Sequence, residues 1–152
     1  MSEGLDVIVV DDDREVCDVV SEMIENFYAW GEVLSFTHAR EAISYCLGRK
    51  TGAAIFVLDV FIGEETAFGF LDAIEGKFPT AHKDSVIITG YASNDIVNMC
   101  FASGVAHLLE KPIKPFALEL AIRSIVGRYL RLAQDLGAFV RTQECSLSRL
   151  TV

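Results

Sequence analysis

Short apolar runs alternate with longer amphipathic stretches along most of the chain. Five runs that are short, apolar and in part β-branched predict strands. They cover residues 5–10, 32–36, 53–58, 85–89 and 106–109. Four stretches with apolar side chains at helical spacing predict helices between these strands. They cover residues 14–30, 39–47, 66–75 and 93–103.

The ends of these helices carry residues that commonly cap helices. Asp13, Thr37 and Ser93 are candidate N-caps, and Gly76 and Gly104 are candidate C-caps. A fifth and longer helix is predicted to begin at Pro115, because a missing N–H costs nothing in the first turn.

The alternation of strands and helices predicts an α/β domain built around a parallel sheet. Strands that are apolar throughout, without alternation, indicate that helices cover both faces of the sheet. Right-handed crossovers between parallel strands then give a three-layer, doubly wound (βα)5 fold.

The composition narrows the class of protein. The chain has 152 residues, of which 51% are hydrophobic, and this is enough for one domain with a sizeable core. The formal net charge of −9 argues against a general nucleic-acid binder. The cysteines, Cys17, Cys46, Cys100 and Cys145, form no CxxC pair. No signal peptide or membrane span is recognisable, so we expect a cytoplasmic protein with reduced thiols.

Polar residues end four of the predicted strands. They are Asp11–Asp13 after the first, Asp59 after the third, Thr89 at the end of the fourth and Lys111 just beyond the fifth. Ligands of an open parallel sheet bind beyond the carboxyl ends of its strands. The sequence therefore predicts that these side chains converge on one edge.

The carboxylates, hydroxyl and ammonium of this group favour the binding of a cation and of a phosphoryl group. Crowded carboxylates repel one another, and the single charge of Lys111 does not balance three of them. Mg²⁺ would complete the balance, since it binds one or two carboxylates together with phosphate oxygens and waters. A carboxylate can also attack phosphorus to give an aspartyl phosphate. Each residue alone is common as a cap or surface residue, but together they predict a phosphoryl site.

Four motifs carry a resemblance to a known family. They are Val-Val-Asp-Asp-Asp at 9–13, Val-Leu-Asp at 57–59, Ile-Ile-Thr-Gly at 87–90 and Leu-Glu-Lys-Pro at 109–112. In order and spacing the chain resembles the receiver domains of two-component response regulators. The resemblance implies a flavodoxin-like sheet in the order 2-1-3-4-5, with the receiver in residues 1–126. Residues 127–152 would form a helical extension and a loose tail.

The resemblance also implies roles for individual residues. Asp59 would accept the phosphoryl group, Thr89 would be the switch hydroxyl and Lys111 would pair with the phosphate. Mg²⁺ would be held by Asp11, Asp12, Asp59 and the carbonyl of Phe61. The Lys111–Pro112 bond would be cis. The donor would be a sensor histidine kinase or a phosphotransfer protein, and the chain would be a switch that catalyses only its own phosphorylation and dephosphorylation.

Three departures from the family pattern affect these expectations. The Pro and Gly expected four and eight residues past Asp59 are Gly63 and Ala67, and the Gly-Phe pair appears at 69–70. This pattern indicates a two-residue insertion in the loop. Leu108 stands where an aromatic partner of the switch hydroxyl is common. The alternative to a phosphorylation switch is therefore a receiver that only docks partners, without being phosphorylated.

The third departure concerns Phe61 and Tyr91, which flank the phosphoryl position in the family. Both are bulky and orient a water poorly, so we predict slow self-hydrolysis of the phosphorylated form.

A phosphatase resembling haloacid dehalogenases is a further alternative to the receiver. Its Asp-x-Asp spacing occurs at 11–13, but Glu15 stands where that family expects Thr or Val.

The predicted final helix carries an a/d heptad pattern. Its members are Leu118, Ile122, Ile125, Tyr129, Leu132, Leu136 and Phe139. The first three can pack on the sheet, but the last four lie beyond the usual end of a receiver. The pattern predicts pairing with a second copy as a homodimer, or folding back on the domain. Residues 141–152 are polar and are expected to be loose.

Overall fold

The computed structural model describes the backbone of residues 4–150 and the side chains of residues 4–137. The strands are β1 (Val7–Val10), β2 (Val33–Phe36), β3 (Ile55–Asp59), β4 (Phe61–Ile62), β5 (Glu65–Thr66), β6 (Ser85–Thr89) and β7 (His107–Glu110). The helices are α1 (Arg14–Glu25), α2 (Ala39–Leu47), α3 (Ala67–Ile74), α4 (Asn94–Ser103) and α5 (Pro115–Leu150).

A five-stranded parallel sheet forms the centre of the fold. Its order is β2-β1-β3-β6-β7, and β4 and β5 form a separate antiparallel hairpin. Without the hairpin strands this is the predicted order 2-1-3-4-5, which is therefore confirmed. All four neighbouring strand pairs of the sheet are parallel, so their carboxyl ends meet at one edge.

Apolar side chains on both faces of the sheet pack against helices. On one face, Phe56 packs edge-on against Phe70 and Phe78 at 5.9 and 5.5 Å between ring centroids, in a cluster with residues of α2 and α3. On the other face, Ile24 of α1 and Ile122 of α5 are fully buried. The three-layer arrangement predicted from continuously apolar strands is confirmed.

Caps define the bounds of most helices. The Asp13 carboxylate accepts from Glu15 N–H, and the Ser93 hydroxyl accepts from Ile96 N–H, as the sequence predicts. Gly104 ends α4 with φ +82°, a conformation that favours glycine. The prediction that Thr37 caps α2 is wrong, because His38 occupies the cap position and no side chain caps that end.

Two helices are shorter than predicted. The first ends at Glu25 because the chain turns there, with the N–H groups of Phe27 and Tyr28 both bonded to the Ile24 carbonyl. The third ends at Ile74, with Glu75 at its C-cap, so Gly76 is not its cap residue.

The last helix is longer than predicted. Its backbone is helical to Leu150, so the expectation of a loose segment from residue 141 to 150 is wrong. No Gly or Pro follows Gly137 to interrupt it. Leu118, Ile122 and Ile125 are buried as predicted. The side chain of Phe139 and residues 151–152 lie outside the described part.

A polar network attaches α5 to the sheet past its buried segment. The Asp84 carboxylate is only 1% exposed and precedes β6. Arg128 and Tyr129 of α5 both donate to it, and the Thr80 hydroxyl donates at 2.8 Å. Arg128 also donates to the Lys83 carbonyl at 3.2 Å. These bonds fix the direction in which α5 leaves the domain.

Among the helices of residues 4–150, none combines the length and the apolar composition that a membrane crossing requires.

Candidate functional site

The carboxyl edge of the sheet gathers the residues that the sequence predicts there. Asp59 is the last residue of β3, and its register partner on β6 is Ile88, next to Thr89. Asp11 follows β1 and is only 3% exposed. Thr89 is paired in register with Glu110, which precedes Lys111. The parallel register therefore brings four separate segments of the chain together.

Three carboxylates form an acidic cluster at this edge. One oxygen each from Asp11, Asp12 and Asp59 lies within 4.8 Å of the others. Asp13 has a different task, because its carboxylate caps α1. Its backbone N–H donates to Asp11 Oδ1 at 2.9 Å and so orients that carboxylate.

Lys111 connects two of the carboxylates. Its Nζ lies 3.4 Å from Asp11 Oδ2 and 3.5 Å from Asp59 Oδ2. Burial raises the pKa of Asp59, and the neighbouring charge of Asp11 adds to this, although Lys111 acts in the opposite direction. Burial alone would lower the pKa of Lys111, but the attraction of Asp11 and Asp59 outweighs it and raises that pKa. The ammonium therefore stays charged at neutral pH.

The backbone fixes Lys111 in this position. Its N–H donates to the Thr89 carbonyl at 2.8 Å, directly after the last register pair of β6 and β7. The Lys111–Pro112 peptide bond is cis, as the resemblance implied.

Thr89 is buried at the end of β6, and its hydroxyl is engaged with its own loop. The hydroxyl donates to the Tyr91 carbonyl at 3.0 Å and accepts from the Tyr91 N–H at 3.3 Å. Between them, Gly90 is exposed, and a Cβ added there would meet nothing within 4 Å. The space next to Gly90, one residue after Thr89, is thus open.

The loop after Asp59 contains the β4–β5 hairpin, which the sequence did not predict. Phe61 pairs with Thr66 and Ile62 with Glu65, so Gly63 and Glu64 form a two-residue turn. Gly63 has φ +63°, as such turns require. The loop in which the sequence indicates a two-residue insertion thus contains an ordered hairpin.

Two exposed aromatic side chains lie in the segments that follow Asp59 and Thr89. Phe61 is 60% exposed at the start of β4, and Tyr91 is 74% exposed after β6. Leu108, in place of an aromatic residue, is half-buried and packs against the core on the α2–α4 face. Burial lowers the pKa of its neighbour His107.

The acidic cluster fits the donor preference of Mg²⁺. The ion takes oxygen ligands at about 2.0–2.1 Å, so opposite ligands lie about 4.2 Å apart. Adjacent ligands in the same octahedral geometry lie about 2.9 Å apart, and the three carboxylate oxygens, within 4.8 Å of one another, are near enough to share one ion. The cluster combines one buried, one half-buried and one exposed carboxylate, which leaves an open side for waters or phosphate oxygens.

Comparisons with known proteins agree with this description. A family model of the response regulator receiver domain matches residues 7–123, and the chain belongs to that family. The two-component response regulator PprB of Pseudomonas aeruginosa is 21% identical over 132 residues, covering 84% of this chain and 46% of the relative. The chain therefore spans about half the length of this curated relative.

Solved receiver structures share the fold. The beryllofluoride-activated NtrC4 receiver domain dimer matches with a TM-score of 0.70 and 25% identity, covering 82% of this chain and 98% of that one. A receiver domain protein from Clostridium thermocellum matches with a TM-score of 0.73 and 20% identity, covering 84% and 98%. Receiver domains are signalling domains of two-component systems.

Proposed function

We propose that this chain is a phosphorylation switch in which Asp59 accepts a phosphoryl group. The observation that carries the proposal is the position of Lys111, whose ammonium lies between Asp11 and Asp59 at 3.4 and 3.5 Å. A cation fixed beside a half-buried carboxylate is the arrangement that charge development on a transferring phosphoryl group requires.

The reaction follows from these groups. An Asp59 carboxylate oxygen forms the new P–O bond while the P–N bond of a phosphohistidine donor breaks. The electron pair of that bond leaves with the imidazole nitrogen, which takes up a proton. Lys111 Nζ pairs with phosphoryl oxygens throughout, and the open space at Gly90 admits the donor.

Mg²⁺ would be held by Asp11, Asp12, Asp59 and the carbonyl of Phe61. When bound, it supplies positive charge against the phosphoryl oxygens. The buried Asp11, oriented by the Asp13 N–H, is a fixed ligand, whereas the exposed Asp12 can adjust.

Thr89 is proposed as the switch hydroxyl. Phosphorylation of Asp59 places acceptor oxygens at the end of the neighbouring strand. The hydroxyl would then exchange its bond with the Tyr91 carbonyl for one with a phosphoryl oxygen. The state of Asp59 would thus reach the loop that leads into α4.

The proposed donor is a sensor histidine kinase or a phosphotransfer protein in the cytoplasm. An apolar cavity of about 350 Å³ adjoins Lys111 and is lined mainly by α1 and the segment after the lysine. Val19, 51% exposed at this cavity, offers an apolar contact on the side of Lys111. A protein donor could bury this surface while it presents its phosphohistidine to Asp59.

The extended helix suggests self-association. We propose residues 1–126 as the receiver and residues 127–152 as an extension and tail, with the helix of the extension pairing two copies. Leu132 and Leu136 are each 57% exposed on α5, and pairing would cover them. A related receiver, NtrC4, was solved as a dimer in its beryllofluoride-activated state.

Incubation with acetyl phosphate and Mg²⁺ tests the phosphoacceptor assignment. The intact mass of the wild-type protein should increase by one phosphoryl group, and EDTA should prevent this. Asp59→Ala should show no increase. Asp135→Ala, which removes an exposed carboxylate on α5, is the matched control and should behave as wild type. No increase in the wild type would favour a docking module that works without phosphorylation.

A further inference from the structure

Glu110 makes a hydrogen bond that the proposed chemistry does not use. Its carboxylate Oε1 accepts from the Ala92 N–H at 2.9 Å. Ala92 belongs to residues 90–93, which join β6 to α4 and are called here the switch loop. The bond therefore joins the end of β7 to the loop that follows Thr89.

The sheet register fixes the position of Glu110. Thr89 and Glu110 are register partners on β6 and β7, and the Lys111 N–H donates to the Thr89 carbonyl at 2.8 Å. The backbone on both sides of Glu110 therefore cannot shift without breaking the sheet. The exposed side chain of Glu110 therefore extends from a fixed backbone position to the switch loop.

The same loop holds the Thr89 hydroxyl. The Tyr91 peptide groups bond to this hydroxyl at 3.0 and 3.3 Å, and the Tyr91 carbonyl also accepts from the Ser93 N–H at 3.1 Å. Gly90 has no side chain to anchor the loop, and the Tyr91 ring is 74% exposed. The attachment of Ala92 to Glu110 thus stabilises the peptide groups that engage Thr89.

We propose that Glu110 is a positioning residue that holds the switch loop in its resting conformation and keeps the Thr89 hydroxyl on Tyr91. The inference rests on the proposed role of Thr89 as the switch hydroxyl. To reach a phosphoryl group on Asp59, the hydroxyl must leave Tyr91. Any loop rearrangement that moves Ala92 must first break its bond with Glu110.

Loss of the bond between Glu110 and Ala92 should shift the protein from the resting conformation toward the active one. A ligand that binds the active state binds more tightly when the resting state is destabilised. Glu110→Ala should therefore raise the affinity for beryllofluoride with Mg²⁺ about two- to ten-fold. This fold-change corresponds to the net free energy of one hydrogen bond. Glu110→Gln keeps an acceptor oxygen and should retain wild-type affinity.

Amide hydrogen exchange at Ala92, measured by NMR in the unliganded protein, reports on the bond itself. Exchange should be faster in Glu110→Ala and unchanged in Glu110→Gln. Glu119→Ala, which removes another surface carboxylate at its ion pair with Arg123, should change neither exchange at Ala92 nor affinity.

The outcomes separate the two proposals. Equal affinities of wild type and Glu110→Ala, a lower affinity of Glu110→Ala, or a Glu110→Gln variant that behaves like Glu110→Ala would overturn the role of Glu110. Beryllofluoride that fails to bind the wild type, or that binds Asp59→Ala equally well, would refute the proposed function instead. The exchange rates at Ala92 would then still decide whether Glu110 holds the loop.

Discussion

Replacement of Asp59 by Asn should stabilise the folded protein, because the charges around Asp59 do not compensate for the burial of its carboxylate. The Asp59 side chain is 15% exposed. At an effective dielectric constant of about 20, Lys111 at 3.5 Å attracts it by about 5 kcal/mol, and Asp11 within 4.8 Å repels it by at least about 3.5 kcal/mol. Asp12 adds a smaller repulsion. The attraction of Lys111 and the repulsion of the neighbouring carboxylates therefore largely cancel.

Burial of the Asp59 carboxylate therefore determines the net effect, and it raises the pKa of Asp59. Asn has nearly the same shape but carries no charge, and Lys111 keeps Asp11 as its partner. We expect a gain of about 1–2 kcal/mol at neutral pH and low salt without Mg²⁺. For a chain of this size that is an increase in Tm of about 2–8 °C.

The effect should depend on pH in a defined direction. With its raised pKa, the folded state binds the Asp59 proton more tightly than the unfolded state does. The wild type therefore loses stability as the pH rises from the ordinary carboxyl value, about 4, through the higher folded value. The difference between the Asp59→Asn variant and the wild type should be full at neutral pH and should disappear in acid.

Thermal unfolding from pH 4 to 8 in EDTA measures this difference. Asp135→Asn, at an exposed carboxylate on α5, controls for net charge. Mg²⁺ should raise the Tm of the wild type more than that of Asp59→Asn, because the variant lacks one ligand charge. A lower Tm for Asp59→Asn, or a gain that does not change with pH, would refute this electrostatic reasoning.

Three further variants probe other parts of the structure. Phe61→Asn should speed the decay of the acyl phosphate about ten-fold, because Asn can orient the attacking water. In the wild type, the acyl phosphate should persist for longer than seconds. Arg128→Ala should lower the free energy of unfolding by about 1–3 kcal/mol in a denaturant titration, because the buried Asp84 carboxylate loses its cation. The double variant of Leu132→Glu and Leu136→Glu should have the monomer mass in light scattering, with little change in Tm.

Matched controls exist for each of these variants. Phe116→Asn changes another exposed aromatic residue and should leave the decay rate unchanged; an equal rate for Phe61→Asn would contradict its role. Arg131→Ala removes an exposed arginine and should cost little stability; a similar cost for both arginines would count against the Asp84 network. Leu120→Glu, 52% exposed on α5, should leave the mass unchanged, and a wild-type monomer at micromolar concentration would exclude the proposed pairing.

Much of the fold follows from the sequence because its patterns are local. Continuous apolar strands such as Ile55–Leu58 indicate burial on both faces, and the residue after each such strand lies at the carboxyl edge. The convergence of Asp11, Asp59 and Lys111 could therefore be predicted without coordinates. Their roles were implied by the family motifs rather than by spacing.

Other features could not be predicted because they depend on tertiary contacts. The β4–β5 hairpin requires Gly63 to adopt a positive φ, and a lone Gly in a loop does not reveal this. The bond between Glu110 and Ala92 depends on the register of β6 and β7. The Arg128–Asp84 contact joins residues far apart in the chain, and no periodicity indicates such a pair.

Peptide-level mass spectrometry after incubation with acetyl phosphate and Mg²⁺ tests the central claim most directly. We predict a single phosphoryl group on Asp59, formed only with Mg²⁺ and strongly reduced in Lys111→Ala. A phosphoryl group on another residue, or one that persists in Asp59→Ala, would contradict the claim.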